Sequence, residues 1–303
     1  MSDFDLVVGI HSIGCALLNP KRSHRKLYMT EEGKKELLKR TDVTNNLLND
    51  LNVVMLDSHA IQEKGKEIRT FMPKFGCINE RRNQLHEVIR LSGMNLIIND
   101  NDHPLIIKVA SIQAARIQVY FIDNEDYFSR KAGLSDKTGA DFADNDERAI
   151  FYCRGVLETV KKLGWAPDII HCHGWMTGLV PLYIKKAFSE DPIFENSKII
   201  TSLYKSGFEG KLDDAFAFKS VLDGIDIEDV ENIKEASNSN VQKFAADWSD
   251  ANIVGSKGLD SEVEEHINGL DKPILTDFDE NNYIEEFDKF YDYVISGEKV
   301  ESE

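Results

Sequence analysis

Apolar and polar positions along this chain alternate between short solid apolar runs and longer amphipathic stretches. Asp5-Leu-Val-Val-Gly-Ile-His11 reads as a short strand, and Pro20 breaks the chain before Lys26-Leu-Tyr-Met-Thr30. Thr30 is placed to N-cap a helix that opens on Glu31-Glu32, acids that suit the positive end of a helix dipole. The apolar run Leu51–Leu56 follows, then a short helix over 58–66 with Gly65 at its turn, and a strand over 67–72 closed by Pro73. Further strands are expected over 105–109, 117–122, 168–171, 198–201, 252–255 and 273–275, with helices over 145–163 and 175–188. Strands set apart by helices of ten or more residues argue for a parallel sheet with helices on both faces, the α/β class.

Composition narrows the function classes. Of 303 residues, 42% are hydrophobic and 29% charged, the balance of a soluble globular chain. The 53 acids outweigh the 36 Lys and Arg, for a net charge of −17, so the chain is a poor candidate for wrapping nucleic acid or lying on an anionic membrane. The charge is uneven: residues 1–40 carry a net +3 and residues 250–303 a net −12. That asymmetry suggests an appended or fused segment; the expected division is a small amino-terminal α/β unit, residues 1–57, ahead of a larger domain, residues 58–303. Cys15, Cys77, Cys153 and Cys172 are far apart, which fits reduced thiols better than a disulfide framework. No run approaches 18 apolar residues and Met1-Ser-Asp-Phe-Asp5 lacks a basic leader, so a cytoplasmic location without a membrane partner is expected.

In open parallel sheets, ligands bind beyond the carboxyl ends of strands. Asp168-Ile-Ile-His-Cys-His-Gly-Trp-Met-Thr-Gly-Leu-Val-Pro181 lies at such an edge. Gly174 and Gly178 allow close backbone approach there, and Thr177 offers a hydroxyl. His171 and His173 are the candidate chemical groups; zinc is one reading of His-Cys-His, but no further ligand cluster supports it and no metal is assigned. The bland alternative makes His171 a satisfied strand-end residue and Trp175 core. A second stretch runs through Tyr120, Phe121, Tyr127, Phe128 and Arg130 to Asp144, Asn145 and Arg148 at the start of the 145–163 helix. Acids there suit simple N-capping, although a carboxylate beside an amide could also hold sugar hydroxyls, with aromatic faces to stack on them.

Phe71-Met-Pro-Lys-Phe-Gly76, the 120–130 segment, Asp144-Asn145 with Arg148, and His171-x-His-Gly-Trp-x-Thr-Gly-Leu-x-Pro181 occur in this order. Together they resemble the amino-terminal catalytic domain of bacterial glycogen synthases and plant starch synthases, from about residue 60 to 303. The likeness is greatest to short bacterial glycogen-synthase-like proteins. The resemblance implies one Rossmann half of a GT-B fold and a retaining glucosyltransferase that makes α-1,4-glucan from ADP-glucose, without metal or other cofactor. It implies that His173 and Asp144 are catalytic. Asn145, Arg148, Trp175, Thr177, Tyr127 and His171 would bind substrate, an α-glucan or maltooligosaccharide with the nucleotide sugar.

This chain departs from that pattern in four places. Gly174 stands where the family has Asp, and Asp57-Ser-His-Ala60 stands in place of the Lys-x-Gly-Gly phosphate loop. The Thr-x-His-Asn turn reads Thr201-Ser-Leu-Tyr204, and the second Rossmann domain is not expected within the residues that follow Ser256. Weak or partner-dependent turnover is expected, with a second chain supplying the donor-nucleotide half; a non-catalytic glucan-binding or synthase-partner module is the alternative. Leu6–His11, Ala16–Arg22 and Leu27–Gly33 resemble the RNA-substrate-binding domain of SpoU-type RNA 2′-O-methyltransferases. That likeness implies at most weak RNA binding through residues 1–57, and an ordinary α/β start explains the same residues.

Overall fold

The short apolar runs become parallel strands and the amphipathic stretches the helices between them. The computed structural model describes residues 27–29, 31–40, 53–55, 69–75, 86–112, 117–130, 132–276 and 283–297. The chain divides into two units, Met1–Ile68 and Arg69–Glu303. In the first, strand β1 (Leu27–Met29) leads through helix α1 (Glu31–Arg40) to strand β2 (Val53–Met55), which pairs parallel to β1 with Leu27 opposite Val53. Helix α1 buries Leu37. The expected strand at 5–11 and helix at 58–66 lie outside the described residues, as do Pro20, Thr30, Cys15 and Cys77.

The second unit begins with β3 (Thr70–Phe71), then three antiparallel strands, β4 (His86–Ile98), β5 (Asn101–Ile112) and β6 (Ile117–Asp123). One turn of helix, α2 (Glu125–Phe128), and the long helix α3 (Asn145–Leu163) lead to β7 (Ile169–His173). Then come α4 (Val180–Lys185), β8 (Lys198–Leu203), α5 (Phe216–Lys219), α6 (Asn238–Trp248), β9 (Ala251–Val254), α7 (Ser261–Asn268), β10 (Ile274–Leu275) and α8 (Tyr283–Ser296). Five strands form a wholly parallel sheet in the order β10-β9-β8-β7-β3.

Two features differ from the sequence expectation. Strands β5 and β6, anticipated as part of one parallel sheet, belong to a separate antiparallel sheet with β4, whose hairpin turns at Asn99-Asp100. Both turn residues have positive φ, 49° and 60°, the geometry of a two-residue hairpin that Asn and Asp tolerate. The expected 175–188 helix is split into a 3-10 turn, Trp175–Thr177, and α4, because Pro181 starts a helix readily but cannot sit inside one.

Helix α3 ends as its sequence foretells, on Gly164 at φ 69° with Lys161 and Lys162 in the last turn, opposite Asp146 and Glu147 in the first. It packs between the two sheets: Ile150, Phe151, Val156 and Leu157 share one core with Leu96, Ile98, Leu105 and Ile107 of the antiparallel strands and with Ile170, Cys172 and Ile199 of the parallel ones. Residues of β7 alternate faces, so Ile170 and Cys172 enter that core while His171 turns to the opposite face, where Phe287 and Tyr291 of α8 meet it. Buried Cys153 and Cys172 are free thiols, and burial pushes the Cys153 thiol up to about 12. No helix among the described residues is long and apolar enough to cross a membrane.

Helix α3 meets the antiparallel sheet tightly at Gly155, where a Cβ would lie 2.7 Å from Ile122 Cγ2 and 3.2 Å from Leu105 Cδ1. A Gly155→Val change should therefore overpack this seam and destabilise the chain by about 1–3 kcal/mol in urea titration. A neutral result would mean the two layers can separate freely.

Candidate functional site

The His171–Pro181 stretch folds as strand, tight turn and helix at the carboxyl edge of the parallel sheet. β7 lies inside the sheet, between β3 and β8. Its last residue, His173, donates its backbone N–H to Pro73 O (3.1 Å), and Gly174 N–H donates to Ser202 O (3.1 Å). The chain then leaves the sheet through Gly174 at φ 74°, ψ 175°, a region that only glycine occupies without strain. Thr177 Oγ1 donates to Gly174 O (2.8 Å), and the Trp175 ring packs edge-on to Phe208 at 4.6 Å. Both side chains are buried, so they brace the turn from within.

His171 is fully buried, with both ring nitrogens engaged: Nδ1 lies 2.6 Å from Tyr291 Oη and Nε2 2.7 Å from Ser202 Oγ. Burial, and then the neighbouring His173, hold its pKa well below the usual imidazole range. His173 packs against it with ring centroids 4.0 Å apart. His173 Nδ1 lies 2.8 Å from Tyr204 Oη, and its ring is partly exposed. Burial, reinforced by the Lys74 charge, lowers His173 to about 4, so at neutral pH it is an uncharged imidazole. Gly255 makes room for Tyr204: a Cβ there would lie 2.6 Å from Tyr204 Cε1.

The second stretch is organised by ion pairs. Asp144 occupies the N-cap position of α3 but makes no side-chain cap; both its oxygens receive the Arg130 guanidinium, with one bond of 2.7 Å. Simple N-capping is therefore not the role of this carboxylate. Arg148, almost wholly buried, donates to Tyr127 O (3.0 Å), Asn145 Oδ1 (2.5 Å) and Gly133 O (2.6 Å), while Asn145 Nδ2 donates to Leu134 O (2.8 Å). The Arg148–Asn145 pair thus clamps the 127–134 loop to the helix. Tyr127 is buried too; its hydroxyl donates to Glu147 Oε2 (3.0 Å) and lies 3.0 Å from His103 Nε2. Burial and the Glu147 charge raise its pKa, which keeps the proton on the hydroxyl. Lys219 reaches Asp146 at 2.8 Å and Glu147 at 3.0 Å; burial opposes its charge, but these carboxylates prevail and raise its pKa.

Three residues join the two stretches. Pro73 and Lys74 bridge to His173, and the next residue, Phe75, meets Tyr152 at 5.6 Å, Phe128 at 6.0 Å and the Arg148 guanidinium at 5.6 Å. Of the eight residues singled out from sequence, His173 and Asp144 keep partly exposed side chains, while Asn145, Arg148, Trp175, Thr177, Tyr127 and His171 are buried and spend their polar atoms or rings on the fold. Sequence reading passed over Arg130, Ser202, Tyr204 and Tyr291 as partners. Tyr204 carried a signal, since it sits in the turn that departs from the family pattern, whereas Tyr291 has none nearby in sequence. Two surface concavities lie elsewhere: one of 340 Å³ beside Lys161, Lys186 and Gly224, and one of 250 Å³ between Asn240, Asp247 and His266. Among the described residues no group of three or more His, Cys, Asp or Glu is placed to hold a metal ion.

Residues 53–274 match the family of the starch synthase catalytic domain. A glycogen synthase of Chlorobium limicola is 41% identical over 154 residues, which cover 50% of this chain and 32% of that one. A glycogen synthase of Chlorobium chlorochromatii is 35% identical over 230 residues, covering 70% of this chain and 47% of that one. The chain thus spans less than half the length of these curated relatives. Among solved structures, the catalytic domain of starch synthase IV from Arabidopsis thaliana, bound to ADP and acarbose, shares the fold. Its TM-score is 0.51 at 16% identity, over 86% of this chain and 53% of that one.

Two outcomes follow from this geometry. Because folded His173 titrates near 4 and the ordinary value is 6.5, the unfolded chain takes up a proton between those values that the folded chain refuses. The part of the stability linked to His173 is therefore complete above about pH 6.5 and is lost as pH falls toward 4. In urea titrations at pH 7 and 4.5, His173→Asn should lose about 2 kcal/mol less than wild type on acidification; equal losses would show that His173 is not desolvated. Gly174→Ala should cost about 1–3 kcal/mol at either pH, because its φ and ψ exclude a side chain.

Proposed function

This chain belongs to the family of the starch synthase catalytic domain, and from that membership we propose that it is a glucosyltransferase of α-1,4-glucan synthesis with ADP-glucose as donor. The observation that carries the reading is His173: a neutral imidazole at the carboxyl edge of the sheet, with Nδ1 tied to Tyr204 and Lys74 beside it. In this reading His173 Nε2 faces the donor glucose and Asp144, steadied by Arg130, lines the sugar site. Asn145 and Arg148 set the position of Asp144, as Thr177 and Trp175 set that of His173, and His171 and Tyr127 act through their neighbours. Transfer breaks the bond between the anomeric carbon and the leaving phosphate while the acceptor hydroxyl of a maltooligosaccharide adds on the same face. Positive charge grows on the sugar ring and negative charge on the leaving diphosphate, so polar groups already aimed at those positions lower the barrier. Lys74 supplies one cation; further phosphate contacts would come from the half of the family's architecture that a second chain provides. No metal enters the reaction.

One observation favours a second reading, a non-catalytic glucan-binding or synthase-partner module. The backbone at Gly174 does not accept the Asp that the family motif carries there without strain. The amino-terminal resemblance to an RNA-binding domain concerns residues 1–57 alone and enters neither reading.

Transfer of labelled glucose from ADP-glucose to a maltooligosaccharide, with wild type beside His173→Ala, separates the two. The glucosyltransferase reading expects turnover in wild type and a loss of about two orders of magnitude or more in the variant at nearly unchanged melting temperature. A folded chain that binds maltooligosaccharide but transfers no glucose would leave the binding module.

A further inference from the structure

The turn Thr201-Ser-Leu-Tyr204 is one departure from the family pattern, and the phosphate loop replaced by Asp57-Ser-His-Ala60 is another. A lysine, Lys205, comes directly after the first. Strand β8 ends at Leu203, so Tyr204 and Lys205 leave the sheet at its carboxyl edge, beside the end of β7. Tyr204 Oη lies 2.8 Å from His173 Nδ1. Lys205 N–H donates to Ser256 Oγ (2.7 Å), which fastens this turn to the one that follows β9. A Cβ built on Gly258, at φ 72°, would stand 3.9 Å from Lys205 Nζ, so the ammonium lies over bare glycine backbone. On the other side of β7, Lys74 follows β3 and forms a β-bridge with His173.

Both lysines are exposed, and neither meets a carboxylate among the described residues. Elsewhere in this acidic chain Lys108, Lys161, Lys185, Lys186 and Lys219 each hold one at 2.5 to 3.2 Å. Two like charges therefore stand on either side of His173 without a counter-charge, an arrangement that an anion between them would relieve. Spacing selects the anion. Neighbouring strands are about 4.8 Å apart, so β3 and β8, flanking β7, are separated by roughly 10 Å. A single carboxylate or phosphate serves one ammonium well, whereas a diphosphate carries charge on two linked groups and serves both. Lysine suits this reach, because it meets phosphate as a point charge on a flexible stem with three donors.

We propose that Lys205 and Lys74 flank His173 as a clamp for the diphosphate of a nucleotide-linked ligand, with Lys205 supplying from β8 a cation that the replaced Lys-x-Gly-Gly loop would otherwise bring. The glucose on that ligand rests on the glucosyltransferase reading, whereas the clamp needs only the diphosphate. Lys198, exposed at the opposite, amino end of β8, provides the control for a general effect of removing a positive charge from this strand.

Isothermal titration of the full chain at pH 7 with ADP, AMP and inorganic pyrophosphate tests the clamp. ADP and pyrophosphate should bind, with AMP weaker than ADP by about tenfold or more. Lys205→Ala and Lys74→Ala should each weaken ADP by about tenfold or more, while Lys205→Arg keeps most of the affinity. Lys198→Ala should bind ADP as wild type does. A chain that binds neither ADP nor pyrophosphate, or ADP no better than AMP, overturns the proposal. So does a folded Lys205→Ala chain with wild-type affinity, or a loss in Lys198→Ala equal to that in Lys205→Ala. Glucose transfer from ADP-glucose is followed with the same proteins. Lys205-dependent ADP binding in a chain that transfers no glucose sustains the clamp and removes the glucosyltransferase reading. Transfer by Lys205→Ala at the wild-type rate, with ADP-glucose below its KM, removes the clamp and keeps that reading.

Discussion

An imidazole taken out of water must have its ring nitrogens hydrogen-bonded, because an unmatched polar group in the interior costs more than the packing around it returns. Strand β7 places two such rings side by side, His171 inside and His173 at the rim, and much of the surrounding structure answers that requirement. Ser202 and Tyr204 lie opposite and just beyond on β8, and Tyr291 arrives from a helix 120 residues away in sequence. Gly255 is small so that the Tyr204 ring can lie where it does. Neutrality of both histidines is the electrical expression of the same burial.

A second buried group, the Arg148 guanidinium, sets the other half of the site. A charge this deep is tolerated only with its donors matched, and carbonyl oxygens of Tyr127 and Gly133 with the Asn145 amide oxygen do so. The segment between these residues is thereby drawn onto helix α3, and Arg130 within it reaches Asp144. Phe75 covers the guanidinium two residues after Pro73 receives the His173 N–H. The three residues from Pro73 to Phe75 therefore hold a neutral imidazole and a paired carboxylate on a common scaffold. Such a scaffold fixes its dipoles before any charge develops beside it, which is the condition for electrostatic preorganisation.

The sequence was legible where local periodicity and local chemistry agreed. Helix α3 was readable to the residue, because its acids, its apolar spacing, its closing lysines and Gly164 all mark the same ends. The parallel strands at 169–173 and 198–203 were readable from their Ile-Ile pairs, which marked the expected strands over 168–171 and 198–201. Strand β4 was not: register shifts between His86 and Ile89 and between Arg90 and Ser92 break its alternation. The Asn99-Asp100 hairpin was a signal within reach. At the candidate site, His173 and Asp144 keep partly exposed side chains, whereas the six residues named beside them from the sequence lie inside the fold.

By itself, then, the sequence determined the α/β class, the family, the parallel strand run and the two segments that make up the candidate site, all properties written in contiguous residues. Only the tertiary structure decided which of those residues face solvent and which polar partners they meet. Arg130 on Asp144, and Tyr291 on His171, are contacts between segments distant in sequence. Burial and hydrogen-bond direction depend on what the folded chain brings together, and no local pattern encodes a partner that arrives from the far end of the chain.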